Sequence, residues 1–126
     1  MKFSIDKQEK YCVLALNEEK LTSLTAPELK SELVTLSNEG HTSMILDLKD
    51  VQYIDSSGLS GILTGNRIAK DTNGSFVVCN LTDHVLKLIT ISKLDSVLNI
   101  VPTQEEAIDA VFLDQLENDV KNSSKS

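Results

Sequence analysis

The chain has 126 residues, 40% of them hydrophobic, and a formal net charge of −7 with a pI near 4.7. That length fits one domain with one core and is too short for two. The acidic balance argues against DNA or RNA as the main partner, because phosphate binding needs a basic surface, and equally against an anionic membrane surface.

No apolar run approaches the length of a transmembrane helix. Met1 to Asp6 carries an acid and no apolar h-region, so it does not read as a signal peptide. Cys12 and Cys79 both lie in apolar, strand-like runs. They read as buried reduced thiols of a cytoplasmic protein rather than as a disulfide or a metal site, which would need further Cys or His at ligand spacing.

Phe3 and Ile5 alternate with polar neighbours and predict a first strand. Gln8-Glu9-Lys10 is a polar turn, and Tyr11 to Leu16 a second strand, so the chain opens on a hairpin. Asn17 to Leu24 reads as a loop. Thr25-Ala26-Pro27-Glu28 has the form of a helix start, with Thr25 and Glu28 as a capping box and Pro27 in the first turn. Leu29, Leu33 and Leu36 recur at helical spacing, and Gly40 suits the left-handed position after the helix. Met44 to Leu48 is an almost continuous apolar run, as expected of a central strand covered on both faces.

A helix follows Asp55 and ends near Ala69–Lys70, before Asp71-Thr72-Asn73-Gly74. Phe76 to Leu81 predicts a fourth strand. Thr82 and Asp83 offer caps for a short helix bearing Val85, Leu86 and Ile89, and Val97 to Val101 a last short strand. Thr103 with Glu106 forms a second capping box. The helix it opens carries Ile108, Val111, Phe112 and Leu116, and Asn122 to Ser126 reads as a frayed polar tail. Strands and helices alternate after the hairpin. The fold class is therefore α/β: one domain, a mixed four- to five-stranded sheet and about four helices. No internal repeat is visible.

The organising stretch is Met44 to Gly65. Asp55-Ser56-Ser57-Gly58 lies where a strand-side segment hands over to a helix, so a serine falls at or beside the helix N-terminus. Free backbone N–H groups and the positive dipole end there favour an anion. On a wheel of about 100° per residue, Leu59, Ile62, Leu63 and Ala69 form a core stripe. Gly58, Gly61 and Gly65 fall together beside it, with Ser60, Thr64 and Ile68 adjoining. Each glycine costs about 0.5–1 kcal/mol relative to alanine, so something must approach the backbone closely. One account is packing within the domain. The other is a docking face for another protein, with Ile68 as its apolar anchor beside Ser60 and Thr64.

Catalysis finds little support. A serine nucleophile needs a base held by a third group, and the two histidines, His41 and His84, are remote from Ser56 in sequence. There is no Gly-x-Ser-x-Gly elbow and no phosphate-binding glycine loop. No cofactor or metal is expected. Taken locally, Ser56 and Ser57 read as N-caps.

Leu46-Asp47-Leu48, Val51, Tyr53-Ile54-Asp55-Ser56-Ser57-Gly58-Leu59 and Ile62-Leu63 together resemble the signature of the STAS domain, and more narrowly the bacterial anti-sigma factor antagonists. Leu21, the helix of Leu29 to Leu33, the Phe76-to-Leu81 strand, the Val85-to-Asp95 stretch and Glu105-Glu106-Ala107 fall in that family's order. The resemblance spans residues 3 to 112. It implies a STAS domain over 1–112, followed by a helix extension and flexible tail over 113–126.

The resemblance implies that Ser56 is phosphorylated by a serine kinase that is itself the anti-sigma factor. The unphosphorylated form would bind that factor and free the sigma factor; phosphorylation would block binding, and a phosphatase would restore it. Asp55 and Ser57 would frame Ser56, Gly58 would admit the partner's backbone, and Ser60, Gly61, Thr64, Ile68 and Thr22 would complete the partner-binding face. The chain departs from the family where many members carry Gly-Glu-Leu-Asp: here the run is Glu19-Lys20-Leu21-Thr22. Ser60 and Lys93 stand where glycines are common. The alternative is a non-switching STAS subunit of a lipid-transport ABC system or a stressosome-like scaffold, with Ser56 a helix cap.

Overall fold

Alternation in the first sixteen residues builds the expected hairpin. β1 (Phe3–Lys7) runs antiparallel to β2 (Cys12–Leu16), with Phe3 opposite Leu16 and Lys7 opposite Cys12. The computed structural model describes residues 1–124, and side chains for residues 1–120. After the hairpin come β3 (Lys20–Leu21), α1 (Ala26–Asn38), β4 (Ser43–Asp47), β5 (Tyr53–Ile54) and α2 (Ser56–Asp71). Then follow β6 (Ser75–Cys79), α3 (Asp83–Ile91), a 3₁₀ turn at Leu94–Ser96, β7 (Asn99–Val101) and α4 (Gln104–Ser124).

The main sheet has the order β1-β2-β4-β6-β7, and every pair after the hairpin is parallel. The apolar run at β4 is central, as its composition predicts. Its side chains divide between two cores: Met44 and Leu46 enter one face, Ile45 the other. Successive residues of a strand point to opposite faces, so a strand covered on both sides must be apolar throughout. Leu29, Leu33 and Leu36 of α1, Ile62 and Ala69 of α2, and Val85 and Ile89 of α3 cover the first face. Ala107 and Val111 of α4 cover the second. Each fully buried Leu or Ile contributes about 1.5–3 kcal/mol.

Cys12 and Cys79 are free and buried on opposite faces of the sheet. β4 stands between them, with Met44 opposite Cys12 and Asp47 opposite Cys79. Burial pushes the Cys12 thiol up to about 11 and the Cys79 thiol up to about 12.

Several local expectations are corrected. The stretch read as a loop contains β3, which pairs in parallel with β5: Lys20 with Tyr53, Leu21 with Ile54. The Thr25 hydroxyl does not cap α1; it accepts from the Thr22 N–H at 3.1 Å, within the preceding loop. Glu28, the other half of that capping box, binds the N-terminal ammonium of Met1 at 2.8 Å instead. Thr82 likewise turns away from α3 and donates to the Val51 carbonyl at 2.9 Å. Thr103 does cap α4, accepting from the Glu106 N–H at 3.1 Å.

Gly40 takes φ +97° after α1, and the His41 N–H reaches back to the Leu36 carbonyl at 3.0 Å. This is the left-handed helix stop that the sequence predicts. α4 passes residue 112 without a break and remains helical to Ser124, over part of the expected tail; residues 125 and 126 lie outside the described residues. Its fourth turn is tied to the domain. Asp114 accepts a hydrogen bond from Ser75, and the Gln115 amide donates to the Lys10 carbonyl at 2.7 Å.

Candidate functional site

The chain leaves β4, passes Leu48 to Gln52, and is fixed again by the Glu19 carbonyl, which accepts from the N–H groups of Gln52 at 2.7 Å and Tyr53 at 3.1 Å. β5 then delivers Asp55 to the start of α2. Asp55 is the N-cap. Its backbone is extended (φ −110°, ψ −174°), and one carboxylate oxygen accepts from the Gly58 N–H at 2.9 Å. An acidic cap satisfies a first-turn donor and complements the helix dipole. Neither serine is the cap: Ser56 and Ser57 are the first two helical residues.

Ser56 is exposed and Ser57 half-buried. The second Asp55 oxygen accepts from the Ser23 N–H at 3.3 Å, which holds the loop before α1 against the start of α2. In that loop the Thr22 carbonyl accepts from Thr25 at 3.0 Å and Ala26 at 2.7 Å, and the Thr22 hydroxyl accepts from the Leu24 N–H at 3.3 Å. Thr22 thus shapes the loop. Leu24 is 86% exposed at its tip. Sequence reading passed over Leu24; the available signal was one large apolar residue in an otherwise polar Thr-Ser-Leu-Thr run. Tyr53, also exposed, stacks on His84 of α3 with ring centroids 5.9 Å apart and an interplanar angle of 16°.

The glycine stripe of α2 faces inward, so the packing account holds. A Cβ at Gly58 would strike the Leu21 carbonyl oxygen. At Gly61 it would lie 3.2 Å from Leu29 Cδ2, and at Gly65 it would enter the Phe76 ring. Gly58 therefore admits the domain's own β3 backbone, not a partner's. Thr64 is buried, its hydroxyl donating to the Ser60 carbonyl at 3.0 Å. Ile68 is half-buried, with part of its side chain packed against the first core. Of the residues assigned to a docking face, Asp55, Ser56, Ser57, Ser60, Ile68 and Thr22 stay at least partly accessible; Gly58, Gly61 and Thr64 do not.

Among the described residues no three His, Cys, Asp or Glu side chains gather as a metal set. No hydrogen bond joins a histidine to Ser56 among them. A polar groove of about 400 Å³ lined by Tyr11, Ser43, Ser75 and Gln115 lies at the opposite end of the parallel strands. No helix among the described residues is long and apolar enough to cross a membrane.

The fold and the site define an α/β domain that presents a serine on the surface, at the start of a helix capped by aspartate. The chain belongs to the STAS domain family, which matches residues 2–107. It is similar to BtrV of Bordetella bronchiseptica, provisionally named an anti-sigma factor antagonist, at 29% identity over 107 residues, 85% of this chain and 91% of that protein. It is 33% identical over 85 residues to the anti-sigma-B factor antagonist of Bacillus subtilis, covering 67% of this chain and 76% of that protein. The fold is shared with the anti-sigma factor antagonist SpoIIAA in its unphosphorylated form: TM-score 0.73, 23% identity, 87% of this chain and 96% of that one.

Proposed function

We propose that this protein is an anti-sigma factor antagonist, switched by phosphorylation of Ser56. The observation that carries the reading is that Asp55 holds the cap of α2, which leaves Ser56 exposed and free of a capping role. The reading in which Ser56 is itself the helix cap does not match this geometry. The names of the relatives supply the partner class, an anti-sigma factor.

In this reading the unphosphorylated face formed by Ser56, Ser57, Ser60 and the Leu24 loop binds the anti-sigma factor and releases the sigma factor. The anti-sigma factor is also the serine kinase, a separate phosphatase resets the switch, and both act in the cytoplasm. The protein itself is not an enzyme. A phosphate adds about −1.5 to −2 charges. On the free chain, water and the Ser56 and Ser57 amides at the helix start accommodate it. In a docked interface it would be desolvated beside the Asp55 carboxylate, with like charges opposed. Phosphorylation then blocks the complex with little change of fold.

Phosphosite mass spectrometry on protein isolated from its own cells, with and without phosphatase treatment, tests the reading. A phosphatase-sensitive phosphate on Ser56 is expected. An ATP-binding kinase should co-purify with the Ser56→Ala variant and be lost from Ser56→Glu. An unmodified Ser56 under every growth condition, with equal partner recovery by both variants, would sink it.

A further inference from the structure

The solvent side of α4 is unusual in two ways. Phe112, Leu113, Leu116 and Val120 are 43–61% exposed. At about 100° per residue Leu113, Leu116 and Val120 fall opposite the buried Ala107 and Val111, and Phe112 borders them with its ring edge-on to Tyr11, centroids 6.0 Å apart. Spacings of three and four residues make them a continuous apolar seam roughly two turns long. Five exposed acids share that side: Glu105, Glu106 and Asp109 lead into the seam, and Glu117 and Asp119 flank it. From Gln104 to Val120 the helix carries no Lys or Arg.

We infer that this face docks a basic amphipathic helix of a second protein, with apolar residues entering the seam and Lys or Arg meeting the acids. Charge selects this occupant. A second copy of the chain would oppose acid to acid, between molecules each at −7. A membrane-surface helix would carry cations on its polar face, and an anionic bilayer repels this one. A helical partner matches the spacing, since a seam of threes and fours receives another such seam with complementary flanking charges. α4 covers the sheet face opposite to α2, so this partner and the one at Ser56 can be held together. The inference does not depend on the Ser56 switch.

The test uses the full chain and fluorescence anisotropy. The probe is a labelled 18-residue peptide with Leu at heptad seam positions and Lys at the flanks. Two controls replace every Lys with Glu or scramble the order. Binding of the Leu/Lys peptide alone is expected, weakened about tenfold or more by Leu116→Glu and weakened by salt, at an unchanged thermal midpoint. No binding, equal binding of the scrambled peptide, or indifference to Leu116→Glu would overturn the proposal. So would sedimentation showing a dimer that Leu116→Glu dissolves, or binding to phosphatidylglycerol vesicles that it abolishes.

Discussion

The Asp55 carboxylate spans two segments: it accepts from the Ser23 N–H at 3.3 Å and from the Gly58 N–H at 2.9 Å. One side chain therefore caps α2 and pins the loop that carries Leu24. The residue next to it is Ser56. A phosphate there would compete electrostatically with the carboxylate that holds the loop. Asp55→Ala should cost about 1–2 kcal/mol in urea unfolding, as loss of an N-cap does. Asp55→Asn keeps an acceptor and should cost less than half as much. Equal losses for the two would show that charge, not capping, dominates.

The glycines of α2 should respond unequally to alanine. At Gly58 the new methyl meets the Leu21 backbone carbonyl and the Ile54 side chain. β3 or α2 must move, and a loss of about 1–3 kcal/mol or more is expected. At Gly61 the neighbour is the end of Leu29, 3.2 Å away, which can give a few tenths of an ångström. A helix-propensity gain of about 1 kcal/mol offsets that contact. Gly61→Ala should therefore lie within about 1 kcal/mol of the parent. Thermal melts of the two variants decide the ranking.

Leu24, not Ile68, is the fully exposed apolar side chain beside the site. Ile68→Lys should lower stability by about 1–3 kcal/mol, because the side chain packs on the first core. Leu24→Lys should change stability by less than about 0.5 kcal/mol while weakening recovery of the anti-sigma factor from cells. A stable Ile68→Lys variant would return Ile68 to the surface.

The long elements were legible because their periods are strong. β4 and β6 read as buried strands from unbroken apolar runs, and α1 from Leu29, Leu33 and Leu36 followed by Gly40. β3 and β5 were missed because two-residue strands hold no period; their pairing is set by the main-chain bonds to Glu19. The caps at Thr25 and Thr82 failed for a shared reason. A hydroxyl can serve a neighbouring loop as readily as a helix end, and tertiary contacts decide. The glycine stripe was visible on the wheel. Which side it faced was not, because that depends on where α1 and β3 lie. Ser56 was legible through the motif, and Leu24 was not, because one apolar loop residue carries no pattern.

Lys93 follows α3 with φ +61°, in the left-handed region that favours glycine. Its N–H still closes the helix end on the Thr90 carbonyl at 3.0 Å. A non-glycine residue there costs roughly 1–2 kcal/mol. Lys93→Gly should therefore raise stability, with the greater chain entropy of unfolded glycine taking back up to about 1 kcal/mol. A higher urea midpoint at unchanged m-value would show it, and a lower midpoint would mean that the lysine chain makes compensating contacts.

The buried thiols fix an alkaline limit. Cys12 and Cys79 rise from an ordinary 9.0 to about 11 and about 12, chiefly because burial disfavours the thiolate. The native state therefore holds those protons when the unfolded chain has released them. Stability rises with pH only where the unfolded state binds more protons, so here it must fall. The fall begins near pH 9 and continues toward the folded values, at up to about 1.4 kcal/mol per pH unit for each thiol. Below pH 8 the two thiols leave stability flat. Urea unfolding at pH 7.5, 9 and 10 should show the decline. A Cys12→Ala/Cys79→Ala variant should start lower, from the lost packing, yet decline less steeply. Equal slopes for parent and variant would assign the alkaline loss to other groups.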